Sequence, residues 1–235
     1  MLNNINIIKY KYYMNISKTT IKRLAKDVGE LMNEPLINDG IYYVHDEDNV
    51  LTGYALIIGP KDTPYEYGYY FFKLQFPENY PSLPPKVIFC TNDGKTRFNP
   101  NLYRNGKCCV SILNTWSGEQ WTSCLTIKSV LLTISTLLCN NPLLNEPGIK
   151  ITHPQVNIYT EIIKFKNIQL AIFDIMNQKI KIPFYNSFKQ IVENKFIENK
   201  ENILNNINKG IKLYPLNSVD SNLYCSIYEM RCYID

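Results

Sequence analysis

One stretch, residues 97–121, constrains the fold more than any other, because it imposes two chain reversals next to a pair of cysteines. An Asn-Pro-Asn turn at 99–101 is followed by an Asn-Gly pair at 105–106, which suits backbone positions with φ > 0. Two adjacent cysteines, Cys108 and Cys109, come directly after this second turn. The sequence therefore predicts a reversed loop that ends at the two sulfur atoms.

Asn101 lies eight residues before Cys109, so a single fold-back can bring its side-chain amide near that thiol. An amide beside a nucleophilic sulfur can stabilise the oxyanion that forms when a thioester is attacked. We interpret Cys109 as an exposed nucleophile that carries an acyl group as a thioester, with Asn101 stabilising the charge. The side chain of Cys108 is expected to point elsewhere if the segment is extended. Three further cysteines, Cys90, Cys124 and Cys139, are interpreted as buried small hydrophobic residues.

Periodicity and capping residues predict an α+β fold, with helices arranged around an antiparallel sheet. Ser17 is expected to cap an N-terminal helix whose apolar face consists of Ile21, Leu24, Val28, Leu31 and Met32. Short, turn-rich links predict a four-stranded meander with strands at 40–45, 50–58, 69–76 and 86–90. Prolines at 77, 81, 84 and 85 predict an exposed, stiff loop of the kind in which X-Pro bonds can be cis.

The second half of the chain is predicted to be helical. Thr126 is expected to cap a central helix with a wide apolar face, formed by Ile127, Val130, Leu131, Ile134, Leu137 and Leu138. A long helix is predicted from Val156 to Lys179, and one or two further helices between Phe184 and Asn208. We divide the chain into an N-terminal segment (1–16), a core (17–177) and a helical C-terminal extension (178–235).

Charge and cysteine content disfavour several functions. The net charge of +4 is mild and the basic residues are dispersed, which argues against a nucleic-acid partner. The seven cysteines are an odd number without a CxxC pair, which favours a reducing compartment over a disulfide framework or a structural zinc. Residues 1–16 lack the apolar run of a signal peptide, and no stretch is apolar enough to span a membrane. We therefore expect a cytoplasmic or nuclear protein that itself uses no metal or other cofactor.

Three ordered motifs resemble those of ubiquitin-conjugating enzymes. The turn at 99–101 with Gly106-Lys107-Cys108-Cys109-Val110 is similar to the family's His-Pro-Asn and Gly-Lys-x-Cys-Leu. The proline loop, residues 76–87, resembles its Tyr-Pro-x-x-Pro-Pro loop, and Trp121 with 125–127 resembles its Trp-x-x-x-Leu-Thr-Ile. Asn99 in place of histidine and a longer loop at 114–118 are similar to the Z-type branch of this family, and the similarity extends from Ser17 to Asn202.

The resemblance implies both a fold and a reaction. The fold would have an N-terminal helix, a four-stranded antiparallel meander, an active-site loop, a central helix and C-terminal helices. Cys109 would accept ubiquitin or a ubiquitin-like modifier from an activating enzyme and pass it to a substrate lysine or a ligase cysteine. ATP would be consumed by the activating enzyme. The expected partners are therefore the modifier, the activating enzyme, a ubiquitin ligase and a protein substrate.

The resemblance also assigns supporting residues. Asn99 and Pro100 would hold the active-site loop, and Ser111 stands where many relatives carry an acidic residue that orients the lysine. Trp121 flanks the inserted loop together with Trp116, either by packing or by contacting a ligand. The expected docking residues for the activating enzyme and the ligase are Lys18, Lys22, Arg23 and Lys26 on the exposed side of the first helix, with Ser82, Leu83 and Ser123. An ordinary solvated face is the alternative for the helix cations.

Two other functions stay open at this point. A non-catalytic binding module of the same fold would hold the modifier for a partner, although inactive variants of this kind lack the cysteine. A cysteine hydrolase would need an imidazole against the thiol. His153 is the candidate for that base, because it lies in a loop that can in principle reach Cys109.

Overall fold

The structure is a computed structural model that describes residues 16–213, with side chains as far as Asn208. The predicted N-terminal segment, apart from Ile16, and the end of the predicted extension lie outside the described residues. Within them the chain has the predicted α+β fold. The helices are α1 (Lys18–Asn33), α2 (Ile127–Thr136), α3 (Gln155–Lys166) and α4 (Lys189–Leu213), and the strands are β1 (Ile41–His45), β2 (Thr52–Ile58), β3 (Tyr69–Gln75) and β4 (Lys86–Phe89).

The sheet has the order β1-β2-β3-β4, as a meander requires, and its strand bounds agree with the prediction to within two residues. Antiparallel pairing places Ile41 opposite Ile57 and Phe72 opposite Phe89. The rings of Phe72 and Phe89 are 5.4 Å apart between centroids, and both side chains are buried. Burying one such ring contributes about 1.5–3 kcal/mol, so a one-residue slip of register here would be costly.

The described residues pack as two compact units. The first contains the chain up to Ile57, Phe71–Cys90 and Gly106–Thr136, and the second contains Ile58–Tyr70, Thr91–Asn105 and the chain from Leu137 onward. In the first unit α1 packs against α2. Helix α2 begins as predicted, because the Thr126 hydroxyl accepts a hydrogen bond from the Ser129 amide at 3.3 Å.

Helix α1 begins at the predicted cap but buries only part of the predicted apolar face, Leu24 and Leu31. The Thr20 amide donates to Ser17 Oγ at 3.0 Å, which confirms Ser17 as the N-cap. Ile21 and Met32 are 38% and 77% exposed, so their assignment to the core face was wrong. The residues that this helix buries are Thr20, Leu24, Asp27 and Leu31.

Polar contacts with the proline loop explain this orientation of α1. The Thr20 hydroxyl donates to the carbonyls of Glu78 and Tyr80 at 2.7 and 2.8 Å. Asp27 accepts a hydrogen bond from the Tyr80 hydroxyl at 2.5 Å. The Tyr80-Pro81 bond in the same loop is cis. Since these partners lie 53 to 60 residues away along the chain, helical periodicity does not reveal them.

In the second unit, the long helix predicted from Val156 to Lys179 is present but is not α-helical throughout. Helix α3 continues into a π-helical segment, Asn167–Asp174. The buried Asn167 accepts a hydrogen bond from the Tyr70 hydroxyl at 2.6 Å and donates one to the Glu66 carbonyl at 2.8 Å. Further along, the short 3₁₀ helix Tyr185–Ser187 leads into α4, in agreement with the helices predicted there. The domain boundary after residue 177 stays a prediction.

Candidate active site

The turn before the cysteines is built around Gly106. Its φ is 84°, whereas Asn105 does not adopt a positive φ, so the predicted conformation holds for the glycine alone. The Phe89 amide donates to the Gly106 carbonyl at 2.8 Å, and Ile88 forms an antiparallel bridge with Lys107. A Cβ atom at position 106 would lie 2.9 Å from the Phe89 carbonyl oxygen, so glycine is needed for this approach. The cysteine segment is thereby fixed to β4.

The two adjacent thiols are both buried. Burial, with a smaller contribution from Cys109, raises the pKa of the Cys108 thiol to about 12. A thiol with such a pKa is almost fully protonated near neutral pH and is a poor nucleophile. Cys109 has 0% exposure, so the prediction of an exposed sulfur was wrong for this structure. Cys90, Cys124 and Cys139 were predicted to be buried. Cys124 is instead exposed, and Cys90 and Cys139 are half-buried.

Residues 111–121, which we call the return loop, are bound to the backbone next to Cys109. The Thr115 hydroxyl accepts a hydrogen bond from the Val110 amide at 3.0 Å. It also lies 3.2 Å from the Cys108 carbonyl oxygen and 3.1 Å from that of Val110, to either of which it can donate. The return loop is thus tied to the residues on both sides of Cys109, whose thiol has no exposed surface.

Two of the predicted site residues belong to the return loop. Ser111 starts the 3₁₀ helix Ser111–Leu113. Gly118 passes close to it, since a Cβ atom added at Gly118 would lie 3.1 Å from the Ser111 Cβ. The Trp121 indole donates to the Pro81 carbonyl at 2.7 Å, and its ring lies 5.9 Å from that of Tyr80. Trp121 therefore packs against the proline loop. Its role in the reaction, like that of Ser111, stays a prediction.

The Asn-Pro-Asn turn lies in the second unit, where Asn99 holds it. This side chain has no exposed surface. Its amide nitrogen donates to the Leu137 carbonyl at 2.7 Å, and its oxygen accepts a hydrogen bond from the Asn101 backbone amide at 2.9 Å. These bonds are of the supporting kind predicted for the residue that stands in place of histidine. Asn101 is buried at 5% exposure, and its catalytic role stays a prediction.

Three of the four predicted helix cations, Lys18, Lys22 and Lys26, are exposed as predicted, but Arg23 is not. The Arg23 side chain is 18% exposed and its Nε lies 2.7 Å from Asp27. Its two terminal nitrogens donate to the carbonyls of Ser123 and Leu125 at 2.5 and 2.6 Å. Arg23 therefore holds the segment 123–125 against α1 instead of presenting its charge to solvent.

The other predicted docking residues lie around the proline loop. Ser82 and Leu83 are exposed, and Leu83 retains 50% of its surface. The Ser123 hydroxyl donates to the Pro81 carbonyl at 3.2 Å. Since Arg23 binds the Ser123 carbonyl, the first unit brings α1, the proline loop and the segment 123–125 together. Whether partners dock on this surface stays a prediction.

The structure gives structural roles to Asp27 and Thr115, which sequence reasoning missed. Asp27 stands at i+4 from Arg23, a spacing typical of helix ion pairs, but such a pair is normally expected on the exposed face. Thr115 lies in a polar loop, where composition gives no sign of which backbone groups a hydroxyl binds. In both cases the sequence does not show whether the polar side chain is buried against a partner or exposed to solvent.

His153 is engaged within its own unit. Its Nδ1 accepts a hydrogen bond from the Gln155 amide at 3.3 Å, at the start of α3. The structure therefore gives His153 a local contact at the start of α3, and its role as the base of a cysteine hydrolase stays a prediction.

Two absences hold for the part of the chain that the structure describes. No group of three or more His, Cys, Asp and Glu side chains there is arranged to hold a metal ion. No helix between residues 16 and 213 is both long and apolar enough to cross a membrane.

The fold and the site define an α+β protein in which a cysteine follows an Asn-Pro-Asn turn and a tight glycine turn. The family model of the ubiquitin-conjugating enzyme matches residues 23–156. The chain therefore belongs to the ubiquitin-conjugating enzyme family, as its three motifs indicated.

Individual relatives agree with the branch that the motifs suggested. The chain is 38% identical over 185 residues to ubiquitin-conjugating enzyme E2 Z of Danio rerio, which covers 77% of this chain and 55% of that protein. It is 39% identical over 179 residues to the Homo sapiens protein of the same name, covering 75% and 49%. Over 140 residues it is 41% identical to the human dual E2 ubiquitin-conjugating enzyme/E3 ubiquitin-protein ligase BIRC6, covering 56% of this chain and 3% of that protein. The chain spans about half the length of the E2 Z proteins that it matches.

Proposed function

We propose that this chain is an active ubiquitin-conjugating enzyme, which accepts ubiquitin or a ubiquitin-like modifier on Cys109 and passes it on. The observation that carries the proposal is the family match over residues 23–156, a range that contains Cys109 and the motif resembling the family's Gly-Lys-x-Cys-Leu. The raised pKa of Cys108 supports the choice between the two adjacent thiols, because a nucleophilic thiol must ionise.

The reaction consists of two acyl transfers. In the first, the Cys109 thiolate attacks the carbonyl carbon of the thioester between the activating enzyme and the modifier. A new carbon–sulfur bond forms and the activating enzyme's cysteine leaves as a thiolate. In the second, a lysine amine attacks the Cys109 thioester, Cys109 leaves as a thiolate, and the amine proton passes to solvent. A ligase cysteine can replace the lysine as acceptor.

Asn101 is proposed to stabilise the oxyanion of both steps through its side-chain amide. An oriented amide donor of this kind typically contributes about 10²–10³-fold to a rate. Asn99 and Pro100 support this turn, and Ser111 is proposed to lie near the incoming lysine. The chemistry uses only the groups of the protein and the modifier, and ATP is consumed by the activating enzyme.

Because Cys109 is buried, the proposed reaction requires its thiol to become accessible, and we propose that the return loop moves to expose it. Replacing Thr115 by valine removes the hydroxyl that binds the residues on both sides of Cys109. A net hydrogen bond stabilises by about 0.5–1.5 kcal/mol, so we expect the rate of Cys109 alkylation by a maleimide to rise about 2–10-fold. Peptide-resolved mass spectrometry of the native protein measures this rate for each thiol.

Thr122→Val is the matched control for this variant, since Thr122 is exposed in the adjoining segment. It should leave the alkylation of Cys109 unchanged. A rate in Thr115→Val equal to that of the original protein would contradict the role of the hydroxyl. An equal rise at Cys90 would indicate general loosening of the first unit and would contradict a local release.

The proposed partners are the modifier, an activating enzyme, a ubiquitin ligase and a protein substrate. Docking is proposed to use the exposed cations of α1 together with Ser82, Leu83 and Ser123, while Arg23 holds that surface in shape. A reducing compartment, cytoplasmic or nuclear, is proposed from the cysteine content. The proposed functional division is the core 17–177 with the extension 178–235.

A single-turnover loading assay tests the proposed function. The full chain is incubated with an activating enzyme, ubiquitin and ATP, and the products are separated with and without reductant. An adduct that reductant removes is the expected result. If no such adduct forms under conditions that load another member of the family, the chain is a non-catalytic binding module of the same fold.

A further inference from the structure

The peptide bond between Pro100 and Asn101 is held at both ends by side chains of the second unit. The Asn101 amide donates to Asn99 Oδ1 at 2.9 Å, and the Pro100 carbonyl accepts a hydrogen bond from a terminal nitrogen of Arg97 at 2.5 Å. A peptide unit is planar, so fixing its N–H and its C=O fixes the whole plane. That plane restricts the direction in which the Cα–Cβ bond of Asn101 points.

Arg97 is itself held in a single orientation. It is 5% exposed, and its guanidinium carbon lies 4.1 Å from the centre of the Tyr103 ring. Its own carbonyl accepts a hydrogen bond from the Tyr159 hydroxyl at 2.8 Å. Stacking on a ring and a planar set of donors restrict a guanidinium more than a lysine ammonium. The Pro100 carbonyl is therefore bound by a rigid donor.

The neighbouring backbone is held in the same way. The Phe98 carbonyl accepts a hydrogen bond from the Tyr65 hydroxyl at 2.6 Å, and the Asn99 carbonyl accepts one from the Leu102 amide at 2.9 Å. Arg97 differs from the other donors because burying a guanidinium carries a desolvation cost, which a neutral donor to one carbonyl would avoid. A rigid cationic donor is thus placed on the peptide bond that precedes the Asn101 Cα, from which the side chain projects.

We propose that Arg97 is a positioning residue for acyl transfer. By holding the Pro100–Asn101 peptide, it keeps the Asn101 amide in the orientation that stabilises the oxyanion. Arg97 acts through Asn101, so the inference rests on the proposed function. It extends that function to a residue outside the Asn-Pro-Asn turn. Small misplacements of a catalytic group can cost up to about 10²-fold in rate.

A double-mutant cycle on the discharge step tests this role. Arg97→Met removes the donor and the charge at similar volume, and it is made in the original protein and in Asn101→Ala. Each variant is loaded with ubiquitin, the activating enzyme is stopped, and the thioester is discharged to free lysine over a range of concentrations. Only folded protein loads, so the discharge rate is not diluted by unfolded chains. Lys95→Met is the matched control, since Lys95 is exposed in the same segment.

We expect Arg97→Met to lower the maximal discharge rate about tenfold when Asn101 is present and less than about twofold in Asn101→Ala. The lysine concentration for half-maximal rate should not change, and Arg97→Lys should recover part of the loss. Equal losses in both backgrounds, or no loss in either, would overturn the inference. If Asn101→Ala alone discharges normally, the inference fails while the Cys109 thioester stands. Failure of the original protein to load would refute the proposed function as well.

Discussion

Replacing Cys109 by alanine is expected to abolish the reducible adduct with the modifier, whereas Cys108→Ala should load within about twofold of the original protein. Cys109 is the cysteine of the motif that resembles the family's, and Cys108 is a poor replacement because the thiolate is the attacking species. With a pKa raised to about 12, on the order of 10⁻⁵–10⁻⁴ of Cys108 is ionised near pH 7.5, against roughly a tenth of an ordinary thiol. Cys108 therefore cannot substitute for its neighbour at a useful rate.

Serine variants at the same two positions make this prediction sharper. Cys109→Ser should give either no adduct or an oxyester that resists reductant, while Cys108→Ser should still give a thioester that reductant removes. Loading is measured in a single turnover by gel electrophoresis with and without reductant. A reducible adduct in Cys109→Ala would refute the assignment of the nucleophile. Loss of loading in Cys108→Ala, with unfolding unchanged, would show that the assignment of the two thiols is reversed.

The sequence was a good guide wherever the determining interactions are local. The Ser17 cap acts three residues away, and the four strands are marked by alternation and by the turns that bound them. The Asn-Gly turn before the cysteines was predicted for the same reason, although only Gly106 takes the positive φ. The family followed from three short motifs in order, each of which is again a local pattern.

The sequence was a poor guide wherever a polar side chain meets a partner far along the chain. Asn167 interrupts the α-helical pattern because it binds Tyr70 and Glu66, about a hundred residues away, and no periodicity encodes that contact. The predicted orientation of α1 was partly wrong for the same reason, since a hydrophobic pattern does not reveal that Asp27 points inward. The exposure of Cys109 was also mispredicted, because the burial of a side chain next to a turn depends on how the surrounding chain folds and not on a local pattern.

Replacing Asp27 by alanine should give the largest loss of stability among the variants considered. Asp27 is 1% exposed, and its two oxygens bind Arg23 Nε at 2.7 Å and the Tyr80 hydroxyl at 2.5 Å. Burial, with the hydrogen bond and charge of Asp27, raises the pKa of Tyr80, so the phenol remains protonated and stays a donor. Without the carboxylate, the Arg23 guanidinium loses its counter-ion and keeps only the carbonyls of Ser123 and Leu125, and the buried Tyr80 hydroxyl loses its acceptor. We expect the free energy of unfolding to fall by about 3 kcal/mol, towards the lower end for a broken buried pair because Arg23 keeps some contact with water.

Denaturant unfolding measures this loss, and two variants separate its causes. Tyr80→Phe removes one donor but leaves the ion pair, so it should cost about 1 kcal/mol. Lys26→Ala removes only an exposed i,i+4 partner of Glu30, at 3.7 Å, and should cost less than about 0.5 kcal/mol. A loss below about 1 kcal/mol in Asp27→Ala would show that water replaces the carboxylate as the partner of Arg23. The ion pair of Arg23 and Asp27 would then not anchor α1. With an anchoring role, Asp27→Ala should also weaken docking of the activating enzyme or ligase, because Arg23 binds the carbonyls of Ser123 and Leu125 from the position that Asp27 fixes.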